Sequence, residues 1–258
     1  MSALAHIPAP PAGFAGIARY AIRPRDKRDF HGVLDARRIL AGMASHESVV
    51  TLRDDADAVV LETDHPMFSG RLREQIRYAR TGAGLVAASL LREVTDESGA
   101  VVRRETVSDY LHERSGMPLE LYPEVTLPFI LGWLPLDGRK SLYAWINDRF
   151  VAKLYVERDG KETLTLPVGR RETTRVIMYP DLNDWVALGS VLTRLAKPFI
   201  PKYRMWFDAE APHRLVRFEG PYGPPGAPEI LLELTALEPG PVAPAGQGAR
   251  AAIATASE

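Results

Sequence analysis

Polar and apolar residues alternate along most of this chain in short runs of period two, the pattern of strands that bury one face. Residues Arg71–Tyr78 alternate strictly: Leu72, Glu74, Ile76 and Tyr78 fall on one side, Arg71, Arg73, Gln75 and Arg77 on the other. Phe150, Ala152, Leu154 and Val156 share a face in the same way. That run meets Asp159-Gly160, a pair that predicts a hairpin into 162–166. Asp96-Glu-Ser-Gly99 predicts a second turn, between strands over 85–94 and 101–107. Further strands are expected at 48–52, 58–63, 172–179, 203–208, 214–219 and 229–235. About ten strands at this spacing make an antiparallel meander, and a sheet of that size does not stay flat and open. The expected fold is mainly β: an antiparallel barrel or strongly curved half-barrel of about ten strands, with one or two helices packed on it.

Two segments break the alternation. Trp185, Leu188, Leu192, Leu195 and Phe199 recur at helical spacing, with Asn183 or Asp184 as N-cap and Pro198 near the end. Residues 122–134 are nearly all apolar but contain Pro128, which predicts a buried, kinked helix between strand groups 48–110 and 143–236. Residues 1–29, with Pro8, Pro10 and Pro11, are expected to form an irregular arm, and 30–237 a single barrel-like domain. Residues 238–258 are rich in Ala, Pro and Gly and hold one Val and one Ile, a composition expected to be disordered.

Composition narrows the function classes. The 258 residues carry 32 Lys+Arg against 33 Asp+Glu with no long run of one sign, so nucleic acid is not an expected partner. The absence of cysteine excludes disulfides, thiolate metal sites and a thiol nucleophile. No apolar run is long enough to predict a membrane-spanning helix. The first residues lack a basic and then continuously apolar leader pattern, which makes a cytoplasmic location the expectation. No glycine-rich phosphate loop, Gly-x-Ser-x-Gly or His-Glu-x-x-His occurs, so neither a nucleotide cofactor nor a resident metal is expected.

The second strand group reads Asp159-Gly-Lys-Glu-Thr-Leu-Thr-Leu-Pro-Val-Gly169, then Thr173-Thr-Arg-Val176, Tyr203-Arg-Met-Trp-Phe-Asp208 and Pro212-His-Arg-Leu-Val-Arg-Phe-Glu219. Over residues 145–236 this order of strands and turns resembles a bacterial family of unknown function, a lipocalin-like or lipoprotein-carrier-like half-barrel. The resemblance implies one curved antiparallel sheet able to hold an apolar ligand. Members of that family are mostly exported and are associated with lipids or envelope material, and the missing leader pattern departs from this. The resemblance carries no catalytic residue to this chain.

Candidate chemistry centres on Glu74, a carboxylate on the apolar side of its strand. In an apolar cavity its pKa rises and it can act as general acid or base; the alternatives are a strand end, a register slip or an inward Arg partner. Asp64 and His65 are adjacent in 62–70, expected to be a loop between strands, where they would orient each other or stand in solvent. His213 is a second candidate rim group, and Asp181 a rim carboxylate. Tyr78, Phe129, Trp133, Trp145, Trp185, Tyr203 and Trp206 are candidate cavity-lining aromatics, with core packing as the alternative for each. Tyr222 lies in the Pro/Gly-rich stretch 219–229, a candidate lid.

The reading that follows is a protein binding a hydrophobic small molecule (a lipid, isoprenoid or polyketide-like compound) inside a β-barrel. The alternative is a cofactor-independent isomerase, cyclase or hydratase using the same cavity, with Glu74 and His65 or His213 moving protons. A third is a protein-interaction module built on the apolar faces of 122–134 or 185–199.

Overall fold

A computed structural model of the chain describes residues 4–25, 40–43, 45–67, 69–107, 116–147, 150–181, 202–221 and 229–240. Its first six strands are β1 (Gly16–Pro24), β2 (Glu47–Asp54), β3 (Ala58–Met67), β4 (Gly70–Thr81), β5 (Gly84–Thr95) and β6 (Val101–Val107). Seven more follow: β7 (Leu121–Pro123), β8 (Lys140–Asn147), β9 (Phe150–Leu166), β10 (Gly169–Pro180), β11 (Tyr203–Asp208), β12 (Leu215–Pro221) and β13 (Glu229–Glu238). All thirteen form one sheet in the order β6-β5-β4-β3-β2-β1-β13-β12-β11-β10-β9-β8-β7. It consists of two meanders, each pairing chain neighbours, joined where β1 lies antiparallel to β13. Only the short β7 runs parallel to its neighbour β8.

The strand count is thus thirteen rather than about ten, and the ladder ends at β6 and β7 instead of closing into a barrel. One added strand, β1, falls inside the stretch expected to be an irregular arm. Its burial alternates, with Ala18, Tyr20 and Ile22 inward, but Gly16 and Ala18 are weak strand formers and nearby prolines mask the pattern. The Asp159-Gly160 pair is also not the hairpin turn. Arg158 pairs with Val176 and Gly160 with Arg175, so Asp159 is the extra residue of a β-bulge, with Gly160 at φ +148°. The hairpin instead reverses at Pro167-Val168. The helix expected over 184–199, with Trp185, lies outside the described residues, as do Tyr222 and 241–258. No helix among the described residues is long and apolar enough to cross a membrane.

Although the ladder is open, the sheet curls until β5 faces β7 and β8 across a seam. Residues 4–7 are laid into it: the Ala5 N–H donates to Ser141 O at 2.9 Å, and the Leu85 N–H donates to Ile7 O at 2.7 Å. The Tyr122 hydroxyl accepts from the Ile7 N–H (2.9 Å) and donates to Leu85 O (3.1 Å), with Ile7 and Tyr122 fully buried. A strip of backbone and one phenol therefore replace a strand-to-strand ladder and satisfy groups that burial would otherwise strand.

The 122–134 segment is one turn of helix, α1 (Leu127–Ile130), and a 3₁₀ turn (Leu131–Trp133). Pro128 occupies the first helical turn, where a missing N–H leaves no bond unmade, so it starts the helix rather than kinking it. Phe129 packs on Tyr20 of β1 (5.7 Å between ring centroids) and on His65 of β3 (6.1 Å). Thr126 bonds the Tyr78 hydroxyl of β4 (2.7 Å), and the Trp133 indole N–H donates to Pro212 O (2.9 Å). Only a segment inside the curl reaches all of these strands. Leu127, Ile130 and Leu131 are fully buried there, which removes 122–134 as an exposed docking face.

Two substitutions and one control test this arrangement by urea unfolding. A Cβ on Gly132 would sit 2.1 Å from His213 O and 2.6 Å from the Phe207 ring. Gly132→Ala should therefore cost about 3 kcal/mol, whereas Gly138→Ala, whose Cβ meets nothing within 4 Å, should stay within about 0.5 kcal/mol of wild type. Tyr122→Phe should lower stability by about 1–3 kcal/mol at an unchanged slope, since it strands the Ile7 N–H.

Candidate functional site

Register brings the buried charges together. Thr63 of β3 stands opposite Glu74 of β4, Glu74 opposite Arg92 of β5, and Arg92 opposite Glu105 of β6. Glu74 is inside, 2% exposed, and accepts from Arg92 Nε at 2.5 Å. Arg92 also donates to Ile146 O (3.4 Å), approaches Glu105 Oε2 (3.5 Å) and lies over the Trp145 ring at 5.3 Å. Glu124, in the loop entering α1, is anchored by its backbone N–H to Trp145 O (3.0 Å). Burial and then the charge of Glu74 push its carboxyl up to about 7, with Arg92 opposing. Burial also raises Glu74 above the ordinary carboxylate range, against the pull of Arg92. Burial thus favours the protonated form of both carboxyls, and the charge of the partly buried Arg92 opposes it in each. Among the described residues, Glu74 Oε2 and Thr63 Oγ1 are buried without a hydrogen-bond partner.

Two of the expected aromatics belong to this group. Trp145 is its cation–π partner, and Tyr203, packed on Phe218 at 6.0 Å, has its hydroxyl pKa raised by burial and by Glu124. Tyr78 feels Glu74 as well, although its hydroxyl is taken by Thr126.

His65 sits elsewhere on the interior. β3 continues to Met67, so Asp64 and His65 are strand residues rather than loop residues, and alternation sends them to opposite faces. His65 is buried, its Nδ1 hydrogen-bonded to Ser48 Oγ and its ring stacked on Phe129. Burial lowers its pKa to about 4, so it is neutral at pH 7. Asp64 lies on the outer face and is held by Arg71 (2.5 Å) and Arg73 (3.2 Å). The two therefore do not form a pair.

His213 is a turn residue at φ +53° whose Nδ1 lies 3.1 Å from Asp208 O, beside Trp133 and its Pro212 acceptor. Phe129 and Trp133 pack in the core of the curl. Trp206 faces outward, its indole N–H donating to Glu162 at 2.9 Å under the Arg217 guanidinium. Asp181 is mostly buried and accepts from the Tyr155 hydroxyl at 2.5 Å. Of the expected residues that are described, then, the structure sets Trp145 against the Arg92 guanidinium beside Glu74, lets Tyr78 and Tyr203 feel the charges of Glu74 and Glu124, and separates the others. Arg92, Glu105, Glu124 and Thr63 complete that group, and none had been singled out.

The titrations have opposite signs. Glu124 binds its proton more tightly folded than unfolded, so its contribution is full below about pH 4.5 and is lost as pH rises towards 7. Glu124→Gln should therefore gain on wild type over that interval, by at most about 3 kcal/mol. His65 stays neutral when folded, so its contribution is full above about 6.5 and is lost as pH falls towards 4. His65→Gln should gain on wild type as the solution is acidified. Urea melts at pH 4.5, 6 and 8 check both.

No family model matches the chain, and no curated protein matches it. Among solved structures it is similar to a β-barrel-like protein of domain of unknown function DUF1849 from Brucella abortus. That likeness has 11% identity and a TM-score of 0.46, covering 87% of this chain and 97% of that one. It is also similar to a lipoprotein candidate from Parabacteroides distasonis, at 10% identity and a TM-score of 0.30, covering 91% and 99%.

Proposed function

We propose that the concave side of the sheet binds a hydrophobic small molecule through one polar end, which meets Glu74 and Thr63. One observation carries this reading: a charge-rich group is retained inside a largely apolar curl, and Glu74 Oε2 and the facing Thr63 Oγ1 are among the buried polar atoms that have no hydrogen-bond partner among the described residues. Burying such atoms is costly unless something bonds them, and well-packed apolar side chains would often serve stability as well. The free Glu74 oxygen accepts hydrogen bonds. The ligand chemistry that suits it is an apolar body ending in a hydroxyl or an amine, attached to a lipid, isoprenoid or polyketide-like frame. Trp145, under the Arg92 guanidinium, stands beside the polar end.

The raised pKa of the buried Glu124 carboxyl favours a second reading, a cofactor-independent isomerase, cyclase or hydratase. A carboxyl poised near neutrality is suited to give and take protons at pH 7. In that case Glu124 acts as acid while Glu74, held by Arg92, orients the substrate.

Native mass spectrometry of the full-length protein, followed by organic extraction, separates these outcomes. Binding predicts a discrete extractable apolar mass, with occupancy reduced about tenfold or more in Glu74→Gln, the loss of one charge-assisted hydrogen bond. Circular dichroism should show that variant folded. Catalysis predicts that Glu124→Gln retains binding of the extracted compound but no longer converts it. An apo protein that also ignores a dansyl-alkylamine probe sinks the ligand reading.

A further inference from the structure

The outer face of the second meander carries a groove of about 440 Å³ floored by β9 to β12. This lies within the size range of sites for small organic ligands. Five cations line it, Arg25, Arg175, Lys202, Arg204 and Arg217, against three carboxylates, Asp159, Glu162 and Glu219.

The carboxylates are already engaged. Asp159, pushed out by the β9 bulge, lies 2.5 Å from Arg175, and Glu162 lies 3.3 Å from the same guanidinium while accepting from Trp206. Glu219 stands across the ladder from Arg204 but turns to Arg25 at 3.5 Å. Arg25 also holds Glu229 (2.5 Å), and Arg217 holds Glu233 (2.6 Å). Lys202 and Arg204 have no carboxylate within 4 Å among the described residues. Two cations therefore line the groove without a counter-ion among the described residues, beside guanidinium groups already paired with acids.

We infer that this groove binds a phosphate group, with Lys202 and Arg204 as the principal contacts. Arg presents a planar fork that matches phosphate oxygens, and Lys adds a compact positive charge. Phosphate is favoured over a single carboxylate because the unpaired charge is two. The site is on the opposite face of the sheet from the Glu74 group, so neither claim depends on the other.

Calorimetry of the full-length protein with inorganic pyrophosphate, and sedimentation with phosphatidylcholine vesicles containing one-fifth phosphatidic acid, test the inference and the source of the phosphate. Binding of pyrophosphate alone assigns a soluble phosphoester, and binding of the vesicles alone assigns a lipid headgroup; binding of both supports the shared chemistry. In each case Lys202→Gln/Arg204→Gln should weaken binding at least tenfold with an unchanged melting temperature. Glu219→Gln should leave it equal or severalfold tighter, and raising NaCl from 50 to 500 mM should weaken it. Failure of wild type to bind either probe, or equal binding by the double variant, overturns the assignment.

Discussion

Curvature without closure is the constraint on which the rest of the molecule depends. An open ladder leaves two terminal strands and lets a sheet uncurl. Here the curl is held by a strip of backbone at residues 4–7 and by the two hydrogen bonds of the Tyr122 phenol. These contacts hold β5 against β7 and β8. The concave space enclosed in this way admits α1 and its 3₁₀ turn, and their apolar residues complete the core. Arg92 reaches across the same seam to Ile146 and Trp145, so the charged group of the interior exists only while the curl is kept.

Inside, charge is organised by who shares whom. Arg92 answers Glu74 closely and Glu105 at 3.5 Å, while burial raises the pKa of Glu124 nearby in the charge network. The outer face is organised in the contrary way. On the first meander, acids and arginines form pairs such as Arg53–Glu62 and Arg77–Asp57, exposed contacts that each contribute little to stability. On the second meander the balance tips towards cations. The same sheet thus presents a carboxylate-rich cluster inside and a cation-rich groove on the outside of its second meander.

Most strands were legible because strict alternation is a local property: Arg71–Tyr78 reads as a strand whatever its neighbours do, and Glu74 was found by its place in that alternation. What alternation does not encode is pairing. Arg92 became the partner of Glu74 through the β4–β5 register, and Glu124 adds its charge from a loop well beyond both in the chain, marked only as a lone acid in an apolar run. The Asp-Gly signal misplaced a hairpin because a bulge and a turn ask the same backbone freedom of glycine. Asp64 and His65 are adjacent in sequence but not in space, because a strand sends successive side chains to opposite faces.

The joint between the two meanders has a consequence for how the protein is made. β1 and β13 lie about 200 residues apart in the chain, so ribosomal synthesis at about 5–20 residues per second leaves β1 without its second partner for on the order of 10 s or more. During that interval its outer rim is an open template for any other extended chain. Arg19 and Arg23 line that strand and Pro24 ends it, residue types that discourage such pairing. In the finished sheet, Arg19 bridges Glu47 and Glu238 and Arg23 meets Glu233. The charges that guard a nascent edge thus become the clasp that joins the halves.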